Sequence, residues 1–245
     1  MAQTELTELC LKFGVHQGDW DVISEGGSSL RVHHFENAPH DFLRQAETDL
    51  LHETTGSDQN AFTNAKRAIA CVMDQILFTF GYQSLRWNTA KKVQTIVAMG
   101  IVAPRIIGKV NSTRNLLEHS YRRVSRSAAE DGVDIATLFV ESASAILRLF
   151  PGQFFVATGS DGEYYAQTID FWYREEDSKG FYVKEYGAPW GTMMLTADDA
   201  SFPAVIALAL AADRGIGVDR AMRNFQGSIV AENDRLAQPP KSNVR

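Results

Sequence analysis

Asn60–Phe80, NAFTNAKRAIACVMDQILFTF, is the stretch whose period settles the architecture. Phe62, Ala65, Ile69, Val72, Met73, Ile76, Leu77 and Phe80 recur three and four residues apart, which lays a broad apolar face along one helix that Gly81 stops. Lys66, Arg67 and Asp74 interrupt its flanks. Upstream, from Pro39, the run DFLRQAETDLL sets Phe42, Ala46, Leu50 and Leu51 at helical spacing, and Gly56-Ser57 is expected to end it. Downstream, Thr89 is expected to cap a helix that turns Val93, Ile96, Val97 and Ile101 inward before Pro104 breaks it. Pro104 or Ser112 opens the next, through Ile106, Val110, Leu116, Leu117 and Val124 to an end near Gly132. A further helix is expected over Asp134–Leu149, with Ile135, Leu138, Phe139, Ala143, Ile146 and Leu147 inward, Asp134 as cap and Pro151 as terminator. Four or five helices on short links make residues 39–150 an antiparallel bundle.

After Pro151-Gly152 the pattern changes. Phe154–Ala157, Tyr164–Tyr173 and Phe181–Tyr186 are rich in aromatic and β-branched residues, and the turns at 159–162 and 177–180 between them predict an antiparallel β-meander. Helices over Pro203–Ala212 and Val218–Leu236 follow, then a tail, 237–245, with Pro239-Pro240, expected to be disordered. Residues 1–38 are expected to form a lead-in with short strands such as Leu30–Phe35. The fold class is therefore α+β and mainly helical: a bundle with an appended meander and C-terminal helices.

With 44% apolar residues the chain can bury a real core, and a net charge of -6 argues against a general nucleic-acid coat protein. Cys10 and Cys71 form no close-spaced motif, so neither a disulfide framework nor zinc is indicated. The N-terminus has no signal-peptide pattern and no run reaches membrane-helix length, so the expected setting is the cytoplasm, with no membrane partner.

Charge is not spread evenly. Between Pro104 and Arg126 six bases face one acid, net +5, within a protein of net -6. Lys109, Arg114, Arg122, Arg123 and Arg126 belong to this concentration, which suits a polyanion and marks Lys109, Arg122, Arg123 and Arg126 as substrate-binding candidates. Within it lie Arg114, Asn115, His119 and Tyr121. Cleaving RNA without a metal requires a proton taken from the 2′-hydroxyl, a proton given to the 5′-oxygen, and neutralisation of the phosphorane. A histidine can exchange a proton near neutrality, and an arginine offers a planar fork to phosphate oxygens. On an ideal helix Arg114 and His119 sit about 140° apart, so one chain does not aim both at one atom. Two chains meeting about a two-fold axis along this helix remove that obstacle. The plain explanation stands beside it: Arg114 pairs with Glu118 on the surface, and His119 packs or hydrogen-bonds.

Arg114-Asn115-Leu116-Leu117-Glu118-His119 resembles the Arg-x4-6-His motif of the HEPN superfamily, including the polar residue after the arginine. Ser120-Tyr121 extends it to the Arg-x4-His-x-Tyr form of HEPN toxins paired with nucleotidyltransferase antitoxins, and Asn64-Ala65-Lys66-Arg67-Ala68 is similar to an early helix of such domains. The resemblance covers roughly residues 39–150. It implies a helical bundle that dimerises through the motif helices and acts as a metal-independent endoribonuclease without a cofactor, a toxin or phage-defence effector. It also implies that Arg114 binds the scissile phosphate, that His119 is the general acid or base, and that Asn115 orients one of them. Tyr121 matches the position that antitoxins modify with adenylyl groups, so RNA, a second copy and an antitoxin or regulatory protein are the expected partners. The alternative is a catalytically silent module of the same fold binding nucleotide, RNA or protein. Residues 151–236 have no counterpart in the basic bundle.

Two other features weigh less. His33-His34, with Glu36 and His40, would need neighbouring side chains on opposite faces of an extended segment to converge on a metal. Trp172, Tyr173, Phe181, Tyr182, Tyr186 and Trp190 could stack bases, but alternate strand residues must face a core, and Asp170, Glu175, Glu176 and Asp177 make this region acidic.

Overall fold

The computed structural model describes residues 2–26, 30–101, 123–158, 167–175, 179–189, 191 and 193–238. Among them are seven α-helices and one five-stranded antiparallel sheet, an α+β protein. The chain divides into two compact units, one of Arg31–Val97 with Ile101–Leu149, the other of Met1–Leu30, Ala98–Gly100 and Phe150–Arg245. The tail 239–245 and the expected helix around Ile106–Leu117 lie outside the described residues.

The first unit is helical. Its helix α2, Pro39–Leu50, opens with proline in the first turn, where a missing N–H costs nothing. Its inward residues are Pro39, Leu43 and Ala46, while Leu51, expected inward, is 81% exposed. Helix α3, Thr55–Thr79, buries seven of the eight apolar positions read from its period, and the eighth, Phe80, is buried as the residue that caps its end. It starts earlier than expected because Thr54 and Ser57 form a reciprocal cap: each side-chain oxygen accepts from the other's backbone N–H at 3.1 Å. Gly56-Ser57 thus belongs to the first turn of α3. A 3-10 turn at Ser84–Arg86 precedes α4, Thr89–Ala98, whose first turn is capped by the Asn88 side chain accepting from Lys91 N–H at 2.8 Å. Gly100 at φ 72° lets Ile101 N–H reach back to the Ile96 carbonyl, so this helix ends before Pro104 is reached.

Helix α5 runs Arg126–Arg148 behind Ser125, whose hydroxyl accepts from Ala128 N–H. Gly132 does not terminate anything; it lies inside this helix. A Cβ there would stand 2.7 Å from Cδ2 of Phe62, so glycine is what lets α5 approach α3 closely. Pairings along the helices give their directions. The start of α5 meets the start of α3 through Arg126 and Asp58 and the end of α2 through Arg126 and Leu50, while His40 at the start of α2 meets Glu141 late in α5. So α3 and α5 run parallel and α2 antiparallel to both. Leu30–Phe35, expected as a strand, has no regular structure; His33 N–H donates to Thr79 Oγ1, and its ring packs on Phe35 and Phe78.

The second unit holds the meander, with an addition. Strands β2 (Gln153–Thr158), β3 (Thr168–Arg174), β4 (Gly180–Glu185) and β5 (Met194–Thr196) pair in order, and β1, Trp20–Gly26, joins β2 at the far edge. Residues 2–13, expected as part of a lead-in, form helix α1, Ala2–Phe13, with Gln3, Leu6, Thr7 and Cys10 buried on one face. One sheet face carries Phe154, Phe171, Tyr173 and Phe181, all buried, with Phe154 stacked on Phe171 at 4.7 Å. Helices α6, Phe202–Arg214, and α7, Val218–Ala237, cover this face, Phe202 reaching Phe181 and Phe225 reaching Phe171. Gln3 ties α1 to the head of α6: its amide donates to Ser201 Oγ at 2.6 Å and accepts from Ser201 N–H at 3.0 Å.

Candidate functional site

Lys109, Arg114, Asn115, His119, Tyr121 and Arg122 lie outside the described residues. Of the basic segment, Arg123 and Arg126 are described. Arg123 is exposed. Arg126, in the first turn of α5, is a clamp: Nε donates to Glu130 at 2.7 Å, Nη1 to Asp58 and the His52 carbonyl at 3.3 Å, and Nη2 to the Leu50 carbonyl at 2.5 Å. Its guanidinium therefore joins the end of α2, the start of α3 and the start of α5. A rigid fork with several donors suits this task in a way a lysine does not. Helix α5, which follows the motif in sequence, thus begins at a fixed anchor.

The helical unit also has a polar groove of about 680 Å³ between α2 and α3, lined among others by Asp41, Arg44, Gln45, Asn60, Asn64 and Arg67. Arg44 pairs with Asp41 at 3.0 Å, and Asn64 donates to Asp49 at 3.0 Å. The two arginines are balanced by two carboxylates, so the groove offers hydrogen bonds rather than a net field. Its signal was present in the sequence: Asn60, Asn64 and Arg67 follow the helical period on the side of α3 opposite its apolar face. Deeper in the same unit, Asp74 accepts from Ser84 Oγ and from Lys92 Nζ at 2.8 Å; both partners of the ion pair are largely buried, and it fixes the link from α3 to α4.

On the second sheet face the strand alternation splits the aromatic cluster. Tyr173 and Phe181 enter the core, whereas Trp172 and Tyr182, opposite each other across β3 and β4, share the other face with Arg174, whose Cζ lies 3.7 Å from the Trp172 ring. Tyr186 is exposed, and Trp190 lies outside the described residues. Beside them Asp170 faces Lys184 at 3.6 Å. Burial pushes the Asp170 carboxyl above its usual range; Lys184 opposes that shift and Glu25 adds to it.

Among the described residues no group of three or more His, Cys, Asp and Glu side chains is placed to hold a metal ion. His33 is engaged with phenylalanines, and His40 contacts Glu141 at 2.9 Å. Cys10 is buried, its thiol pushed up to about 12 by desolvation; burial, then Asp74 and Asp41, push Cys71 up to about 11. No helix among the described residues is long and apolar enough to cross a membrane. Comparison of the chain with protein-family models, curated proteins and solved structures finds no match.

Proposed function

We propose that this protein is a metal-independent endoribonuclease of the HEPN type, cleaving RNA by 2′-hydroxyl attack at a site that two copies complete. The observation that carries the reading is the Arg114-Asn115-x3-His119-x-Tyr121 pattern inside a net +5 stretch of an acidic chain. In this reading Arg114 and its symmetry mate neutralise the phosphorane, His119 transfers the proton, and Asn115 holds one of them in orientation. Lys109, Arg122 and Arg123 draw in the RNA backbone. Two features of the helical unit support it. Because α3 and α5 run parallel, the end of α3 and the start of α5 lie roughly 37 Å apart, and the sequence that connects them includes α4 and the motif. The Arg126 clamp then gives its downstream end a fixed base, which a preorganised site requires.

The test is cleavage of mixed RNAs in EDTA by the wild type beside His119→Ala and Arg114→Ala. Expected are products with 2′,3′-cyclic phosphate ends, lost in both variants. EDTA-sensitive cleavage, or cleavage indifferent to the substitutions, rejects the mechanism. RNA binding that persists with no cleavage in the wild type identifies the silent module instead.

A further inference from the structure

Helix α5 is apolar on two opposite sides. Ala129, Val133, Ala136, Phe139, Val140, Ala143 and Leu147 form the buried side. Rotated from it by about 145° runs a second stripe, Ile135, Leu138, Ala145, Ile146 and Leu149, about 100° wide. Leu138 is 68% exposed and Leu149 63%. Single exposed leucines are ordinary, but an aligned stripe over four turns is the mark of a helix covered on both sides.

The charges beside the stripe state what covers it. Asp134, Glu141 and Arg148 recur every seven residues along one edge, acidic towards the N-terminal end and basic at the C-terminal end. Laid on a second copy in the same direction about a two-fold axis, this edge meets the partner's opposite edge, which carries no charge, so its charges find no counter-charge. Laid antiparallel, Arg148 of each copy faces Asp134 of the other, twice by symmetry, and the helix dipoles also oppose. At the axis the two Glu141 carboxylates approach, each with His40 of its own chain at 2.9 Å. Ser142 and Ala145, at the centre, are small enough for helix axes to come within about 8–10 Å.

We propose that the outer face of α5 is a self-association surface on which two copies pair antiparallel about a two-fold axis near Ser142. The surface stands on α5 alone and does not rest on the ribonuclease reading.

Sedimentation of the full chain across the micromolar range tests it, with circular dichroism to verify folding. The wild type is expected to self-associate and Leu138→Asp, with a native spectrum, to sediment at half the wild-type assembly size: a monomer, or a dimer where the 114–119 segments also pair. Arg148→Asp and Asp134→Arg are each expected to weaken the dimer about ten-fold or more, and the double exchange to restore it to within about three-fold of wild type. These exposed charge variants keep the test decisive should Leu138→Asp fail to fold. A wild type that stays monomeric overturns the proposal, and a lowered Tm for Leu138→Asp would then mark the stripe as covered by its own chain. A dimer indifferent to Leu138→Asp overturns it too, since the copies then meet elsewhere. A double exchange no better than the single ones overturns the antiparallel arrangement.

Discussion

Gly132→Ala separates two physical effects by sign. In an exposed helix interior, alanine is favoured over glycine by about 1 kcal/mol. At Gly132 the new methyl would stand 2.7 and 2.8 Å from two ring carbons of Phe62, a side chain only 3% exposed. Contacts that short cannot persist, and forcing a methyl into a packed interface costs roughly 1–3 kcal/mol. The two effects sum to a loss of up to about 2 kcal/mol. Equilibrium unfolding in urea should show a lower midpoint with an unchanged slope. Phe62→Leu makes room, so the double variant should be more stable than the sum of the single changes implies, with a coupling of roughly 0.5–3 kcal/mol. A Gly132→Ala protein more stable than wild type would refute the reasoning, because helix propensity would then outweigh the close approach of α5 to α3.

Arg126→Met should lower the Tm of the helical unit, since it removes the donors that join the ends of α2, α3 and α5, and Arg126→Lys should recover only part of it; equal Tm values in melting curves would contradict the clamp. Gln3→Ala should lose about 1–3 kcal/mol in denaturant unfolding, because the Ser201 N–H is left without its buried acceptor, while Ser201 Oγ keeps the hydrogen bond it accepts from Ser228. Asp170 titrates above its ordinary 3.8 in the fold, so the folded state holds more protons than the unfolded one above that pH, and its contribution to stability falls as pH rises. The stability of wild type minus Asp170→Asn should therefore decline from pH 4 towards neutrality, and a rising difference would show the Lys184 pairing to dominate. With their thiols pushed up to about 12 and about 11, Cys10 and Cys71 should react with a disulfide reagent at pH 8 far more slowly in the native protein than in denaturant; fast native labelling of Cys71 would contradict its engagement with the Asn37 carbonyl.

Where a helix carries its whole apolar face within its own residues, the sequence was sufficient. Helix α3 is the plain case, and the meander β2–β3–β4 is another, since its strands follow one another and alternate. Helix α1 was missed because half of its buried face is Gln3 and Thr7, polar groups that only a tertiary partner makes burial-worthy. Strand β1 was missed because WDVISEG has little apolar signal of its own and pairs with a strand more than a hundred residues away. The basic motif was legible as chemistry and the α3 wall of the polar groove as a polar stripe, whereas the outer stripe of α5 became visible only once its inward face was known.

Local period, capping and charge order are properties of neighbours along the chain, and from them the sequence alone determined the helical half, the antiparallel strands and the concentration of positive charge at 104–126. What tertiary structure decided is the meaning of residues whose role depends on what stands across from them. Gly132 is a clearance for Phe62 rather than a stop. Gly56-Ser57 begins a helix rather than ending one, and Arg126 reaches back to Leu50, His52 and Asp58. The same side chain is a breaker or a contact, a ligand or a clamp, according to a distance that only the folded chain sets.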